Sequence, residues 1–338
     1  MPAVYRPRRP EKTPLYGMLR DHVDELRQCY DETYGHKFGL WRAELDREIE
    51  KYLKCGIPRF GFARVKCKNP ACGAVFALAF SCKAGLCPSC RQKRMLETEM
   101  WIVDHILKEV PHRHFVFTIP KLLRPGFMRN REALTDLSRI AWECTLTFYQ
   151  EGLSEIFPLG EGTPAAAQGI ETSGEYLAPN PHVHVLAADG LFSACGKFYQ
   201  LPRCDEGSRI YLLSLWKKAV SAFAMEKGFI TPEMMGKILN WQHTGFSVFA
   251  ERRVDFKWSD EESVKQMRHL ARYIAKPPFA LENITWKEGA DKVIYRGERV
   301  TSYHPQNFET FDVLDFLAAI VGHIPLHRQK YVLYYGHL

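Results

Sequence analysis

The chain has 338 residues, of which 46% are hydrophobic, 25% charged and 13% aromatic. That apolar content can bury a sizeable core and excludes a wholly disordered chain; at about 150 residues per domain the length suggests two domains. No apolar run approaches the roughly 18 residues that span a bilayer, and the basic N-terminus MPAVYRPRRPEK has no apolar stretch behind it, so neither a membrane helix nor a secretory signal is expected. The net charge of +7 favours an anionic partner without identifying one.

Residues 1–12 form a Pro/Arg-rich arm carrying Arg6, Arg8, Arg9 and Lys12, which reads as a solvated tail or a phosphate-contacting arm. Helical patterns follow over 15–31 and 40–54, the second stopped by Gly56-Ile57-Pro58, and a cysteine-rich segment spans roughly 60–90. A helix is expected from Arg91 to Val110. Beyond Pro111 the pattern predicts a strand at 115–119, a helix at 130–151, a loop at 158–168, and strands at 169–173 and 182–187. Helices at 208–227, 232–240 and 260–276 enclose a strand near 246–256, and a helical stretch lies at 310–322. The domain boundary is placed near residue 110, giving a cysteine-bearing helical domain over 1–110 and an α+β domain over 111–338.

Five of the ten cysteines fall within 24 residues, which in a reducing compartment points to a metal site rather than a disulfide framework. Cys67 and Cys72 bracket the turn CKNPAC, and Cys87 and Cys90 form CPSC. Two such knuckles are the sequence form of a zinc ribbon, in which four thiolates complete a tetrahedron around structural Zn²⁺. Cys82 is the alternative ligand; Cys29, Cys55, Cys144, Cys195 and Cys204 read as small hydrophobes.

The segment NPHVHVL carries the most specific chemistry. On a strand, His182 and His184 share one face about 6–7 Å apart, at about 3.3 Å per residue, and can converge on one divalent ion. If 169–173 pairs antiparallel with 182–187, Glu171 lies opposite the two imidazoles as a third ligand; Glu175, in the turn, is a weaker candidate. The pair His112/His114 has the same spacing but no acid near it in sequence, and is read as structural. On the helix 260–276, Val264, Met267, Leu270, Ala271 and Ile274 recur at helical spacing, beside a basic stripe of Lys265, Arg268, His269, Arg272 and Lys276. Tyr273 borders that stripe, within one turn of His269 and Lys276. A tyrosine acting as a nucleophile needs nearby positive charge, which the stripe supplies.

In order, SCK with CPSC, FTIP followed by KLLR, NPHVHVLAADG, RYIAKPP and HIP…YYG resemble the rolling-circle transposases of the HUH (His-hydrophobe-His) endonuclease superfamily. The likeness is to the branch with an N-terminal zinc-binding domain that includes the ISCR elements, and it covers nearly the whole chain from about residue 15. It implies a central antiparallel sheet flanked by helices, of the ferredoxin/RRM-like HUH nuclease kind, preceded by a helical zinc-ribbon module. It further implies a DNA transposase that nicks and rejoins single-stranded DNA through a 5′-phosphotyrosine, with Tyr273 as nucleophile and Lys276 beside it. His182, His184 and Glu171 would then hold catalytic Mg²⁺ or Mn²⁺, and Lys265, Arg268, His269 and Arg272 would bind DNA. The expected partner is single-stranded DNA or a DNA hairpin at transposon ends, with no membrane, in the bacterial cytoplasm. Some relatives carry a second tyrosine where this chain has His269, so the resemblance implies a single-tyrosine enzyme. Tyr176, Phe198 and Trp258 are candidates to stack bases. Two other readings remain open: a replication initiator or relaxase with the same chemistry, and a non-catalytic zinc-ribbon DNA-binding regulator. A hydrolase using water in place of Tyr273 would keep the His pair alone.

Overall fold

The computed structural model describes residues 9–158, 161–202, 204–297, 300 and 305–337; Arg6 and Arg8 of the basic arm lie outside the described residues. In chain order the elements are α1 (Pro14–Phe38), α2 (Ala43–Lys54), β1 (Phe62–Lys66), β2 (Val75–Ala79) and α3 (Pro88–Trp101), which runs on as one π-turn over Ile102–Ile106. Next come β3 (Pro111–Thr118), α4 (Arg124–Arg129), α5 (Ala133–Gly152), β4 (Ala165–Ser173), β5 (Pro179–Ala188), β6 (Gly190–Phe192), β7 (Phe198–Gln200), α6 (Glu206–Glu226) and α7 (Pro232–Leu239). The chain closes with β8 (Ser247–Asp255), α8 (Glu261–Ile274), β9 (Ile284–Thr285), β10 (Lys292–Arg296), β11 (Phe308–Asp312), α9 (Val313–Gly322) and β12 (Val332–Gly336). Helix starts follow local chemistry. Asp205 accepts from the Ser208 N–H to open α6, Thr231 with Pro232 opens α7, and Asp260 accepts from the Glu262 N–H to open α8.

The chain divides into two compact units. One comprises Met1–Lys93, Glu175–Ala178 and Phe279–His327; the other comprises Arg94–Gly174, Pro179–Pro278 and Arg328–Leu338. The division therefore falls inside α3 rather than near residue 110, and the segment 279–327 joins the N-terminal unit. Within it α9 buries Phe316, Leu317, Ile320 and Val321 and packs beside α1, whose Leu15, Met18, Leu19 and Leu26 are fully buried. Its three strands form an antiparallel sheet in the order β11-β10-β9, and β1 pairs with β2 as a separate two-stranded ribbon.

The second unit is built on a five-stranded antiparallel sheet in the order β12-β4-β5-β3-β8, as the α+β expectation required. Its two faces are set by strand alternation. Phe115 and Phe117 of β3, Ala166 and Ile170 of β4, and Val183 and Val185 of β5 join one core with Leu137, Ala141, Phe148 and Trp216 of α5 and α6. The other face carries Ala167, Leu186 and Val254, covered by Met267, Leu270, Ala271 and Ile274 of α8. The apolar stripe read from the sequence is thus the seat of α8, with Val264 packed at its margin.

The last turn of α8 comes unusually close to the sheet. A methyl group added at Gly169 would lie 2.1 Å from the Ile274 carbonyl oxygen, so only a residue without Cβ lets the helix end rest on β4 at this point. Gly169 is the register partner of His184, which places the end of α8 directly over the histidine strand. Gly169→Ala is expected to destabilise this unit by about 1–3 kcal/mol through overpacking, read as a lower urea midpoint at unchanged m-value. An unchanged midpoint would show that α8 is not seated by this contact.

Candidate active site

The face of the sheet beneath α8 brings together the polar side chains of β4 and β5 that form the candidate site, while the opposite face packs the larger apolar core. Glu171 pairs in register with His182, as expected from antiparallel pairing. Its carboxylate oxygens lie 3.5 Å from His182 Nε2 and 3.6 Å from His184 Nε2. The three donor atoms all lie within 4.8 Å of one another, and the two imidazoles are buried. Two nitrogens and a carboxylate so spaced fit one small divalent cation with bonds of about 2.1 Å. Glu175 lies in the turn, exposed and outside this group.

The ring nitrogens that face away from Glu171 are also engaged. His182 Nδ1 is 2.6 Å from the Asn180 carbonyl oxygen, an acceptor only, so that nitrogen carries the proton and Nε2 presents its lone pair. His184 Nδ1 is 3.0 Å from Nε2 of His114 on β3, with the two ring planes only 6° apart. This corrects the reading of the His112/His114 pair as purely structural. His112 is fully buried with Nδ1 on the Val110 carbonyl, whereas His114 enters the site diagonally across the β3–β5 ladder. Burial holds His182 and His114 down to about 4 and His184 well below the ordinary imidazole value. All three rings are therefore neutral at pH 7, the form that binds a metal.

Tyr273 stands on the same side. Its ring centroid is 6.0 Å from that of His184 and 6.2 Å from that of His114, with the His269 ring edge-on at 5.2 Å and Lys276 Nζ 5.7 Å from its centre. The Tyr273 ring thus lies beside His184, one of the two imidazoles of the HVH strand. Arg124 of the KLLR segment was not singled out from the sequence. Its Nη1 donates to the Pro179 carbonyl oxygen of β5 at 3.3 Å, and its Nε is buried without a hydrogen-bond partner. Its charge acts on His182 in the same direction as that of Lys276.

The basic stripe is less free than expected. Arg272 Nε donates to the buried Glu99 at 2.6 Å, and Arg268 lies 2.9 Å from Asp104 and 3.8 Å from Glu99. These two arginines fasten α8 to α3 and the π-turn. Lys265 remains exposed, 3.8 Å from Glu262. Together with Arg252, Trp258 and His269 these residues line a groove of about 890 Å³ between β8 and α8. Of the aromatics considered for base stacking, Trp258 is 45% exposed while Tyr176 is only 4% exposed and packed within its own unit. Phe198 is half-buried against Phe192.

In the other unit, the expected set of Cys67, Cys72, Cys87 and Cys90 is regrouped. The thiols brought together are Cys55, Cys82, Cys87 and Cys90. Cys55 caps the end of α2, Cys87 and Cys90 open α3, and Cys82 approaches from the intervening loop. Cys55–Cys90, Cys82–Cys90 and Cys87–Cys55 Sγ separations are each 3.7 Å. A tetrahedron with metal–sulfur bonds of about 2.3 Å has edges of about 3.8 Å, so the four sulfurs fit one zinc ion. Hydrogen bonds from Cys82 and Cys87 pull the Cys55 thiol down to about 6, and those of its three neighbours hold Cys90 lower still. Cys67 and Cys72 sit instead at the β1–β2 turn, where Cys72 is exposed, because CKNPAC forms the hairpin tip.

No helix among the described residues is long and apolar enough to cross a membrane. No solved structure matches the chain. Residues 20–119 match a transposase zinc-binding domain, and residues 167–338, half of the chain, match the putative transposase family. The transposase for insertion sequence element IS801 of Pseudomonas savastanoi pv. phaseolicola is 26% identical over 304 residues, covering 87% of this chain and 70% of that relative. As its ordered motifs led us to expect, the chain belongs to the putative transposase family and carries that family's zinc-binding domain at its N-terminal end.

Proposed function

We propose that the protein is a transposase that cuts and rejoins single-stranded DNA through a tyrosine-linked intermediate. The observation that carries this reading is the three-donor cluster of Glu171, His182 and His184, with the Tyr273 ring about 6 Å away on the same face of the sheet. A Mg²⁺ or Mn²⁺ ion held by the three donors would polarise the scissile phosphate and offset the charge that grows in the transition state. Tyr273 Oη attacks phosphorus; the new bond is P–Oη and the broken bond is P–O3′, giving a free 3′-hydroxyl and a 5′-phosphotyrosine. Lys276 Nζ, 5.7 Å from the centre of the Tyr273 ring, places a cation beside the attacking group and the phosphate it would meet. Arg124, a cation with no carboxylate partner among the described residues, supplies a contact for a phosphate oxygen next to His182. The ester keeps the energy of the phosphodiester, so attack by another 3′-hydroxyl rejoins the strand without a nucleotide cofactor.

The groove beside α8 is the proposed path of the strand. Lys265 and Arg252 meet phosphates and the exposed Trp258 face stacks a base, while Arg268, Arg272 and His269 shape the wall; the DNA end bound is a single strand or a hairpin. Cys55, Cys82, Cys87 and Cys90 are proposed as a closed structural zinc site with no open coordination position.

Incubation with labelled single-stranded oligonucleotides and Mn²⁺ should yield a protein–DNA adduct that survives denaturing gels and vanishes in Tyr273→Phe. Cleavage that persists in that variant would assign water as the nucleophile. His182→Ala and His184→Ala should abolish nicking with zinc content intact, because the two metal sites are separate; zinc loss in either would refute the assignment. Elemental analysis should find zinc lost in Cys55→Ser and retained in Cys72→Ser, the reverse of what a Cys67/Cys72/Cys87/Cys90 site requires.

A further inference from the structure

The two histidines of the proposed metal site solve the same problem differently. An imidazole binds a metal through one nitrogen only if its proton sits on the other, and that choice is set by the partner of the second nitrogen. For His182 the partner is the Asn180 carbonyl, which can only accept, so the choice is forced. His184 has no such carbonyl on its Nδ1. The atom there is Nε2 of His114, which donates or accepts according to where His114 carries its own proton.

We propose that His114 is a positioning residue of the metal site: it accepts a hydrogen bond from His184 Nδ1–H and thereby keeps the His184 Nε2 lone pair directed at the ion. This rests on the reading of Glu171, His182 and His184 as metal ligands. Geometry favours the arrangement. His184 Nε2 is the atom 3.6 Å from Glu171, on the side of His182 Nε2, so it is the nitrogen that must be left unprotonated for the three donors to converge. The opposite polarity, with His114 donating, puts the His184 proton on Nε2 and removes that atom from the donor set. The two rings are nearly parallel, at 6°, and both are buried, so the partner that His184 Nδ1 meets is His114 Nε2. His114 reaches this place because alternation on β3 sends Phe115 and Phe117 into the opposite core.

The test uses the full chain and Mn²⁺ alone, titrated calorimetrically without DNA. His114→Leu, which has no acceptor, should weaken Mn²⁺ binding by about 10–100-fold, the usual effect of removing a partner behind a ligating histidine. His114→Gln, whose side-chain oxygen can accept from His184, should restore most of the affinity. Zinc content should be unaffected in both. In the ¹⁵N-histidine-labelled protein, the His184 ring, assigned by loss of its signals in His184→Ala, should show the Nδ1–H tautomer. Wild-type affinity in His114→Leu, or a His184 ring protonated on Nε2, overturns the proposal while leaving the ligand assignment standing. Wild-type protein that binds no Mn²⁺, or His184→Ala that binds it normally, overturns the ligand assignment itself and the proposal with it. Should His114→Leu not fold, the tautomer in wild type and the affinity of His114→Gln still decide the question.

Discussion

Everything at the proposed catalytic centre depends on one constraint, the alternation of side chains along three adjacent antiparallel strands. Because one face of the sheet is committed to a large apolar core against α5 and α6, every other residue of β3, β4 and β5 is turned toward α8. That single rule delivers His114, Glu171, His182 and His184 to one surface. A slip of one residue in any of these strands would send its polar group into the apolar layer, where an unpaired carboxylate or imidazole is costly. Gly169 completes the arrangement by letting the end of α8 descend onto β4, so that Tyr273 arrives at the height of the imidazoles rather than above them.

The two clusters contrast in ways that match different chemistry. Three separations among the four sulfurs equal the edge of a tetrahedron around zinc, the geometry of a closed structural site. They join the end of one helix to the start of another within a unit whose β-ribbon has little core of its own, so metal binding there is coupled to folding. The nitrogen–carboxylate group offers three donors on a sheet surface beside an open groove, with cations and a phenol on its rim. Hard oxygen and borderline nitrogen ligands at an open site suit an ion that must also accept a phosphate oxygen.

Much of this was legible in the sequence because it is local. The HVH alternation and the apolar stripe under Tyr273 are read from spacings of two, three and four residues, and the acid on the preceding strand from the antiparallel pairing of two neighbouring strands. What escaped is long-range. His114 lies 70 residues from His184, and nothing within β3 announces that its neighbour across the ladder is a proposed metal ligand. Cys55 stands apart from the dense cysteine run, and CKNPAC has the form of a knuckle although its backbone makes a hairpin tip. Arg268 and Arg272 read as a DNA-facing stripe because the carboxylates that engage them, Asp104 and Glu99, come from a helix 164 and 173 residues earlier in the chain. The two compact units divide the chain differently from a boundary near 110, because segment 279–327 belongs with the N-terminal unit, which no local pattern foretells.

The placement of Cys55 and Cys82 also separates anchorage from reach. Both thiols stand at the base of the excursion that contains the β-ribbon, where the Gly56 N–H also bonds the Phe80 carbonyl at 2.9 Å, so its two ends are fastened to each other and to the proposed ion. A loop closed at its base tolerates changes in length at small entropic cost, since each doubling adds only about 0.6 kcal/mol. The arm between these anchors can therefore lengthen, shorten or change its tip with little effect on the cysteine cluster and the helices it joins.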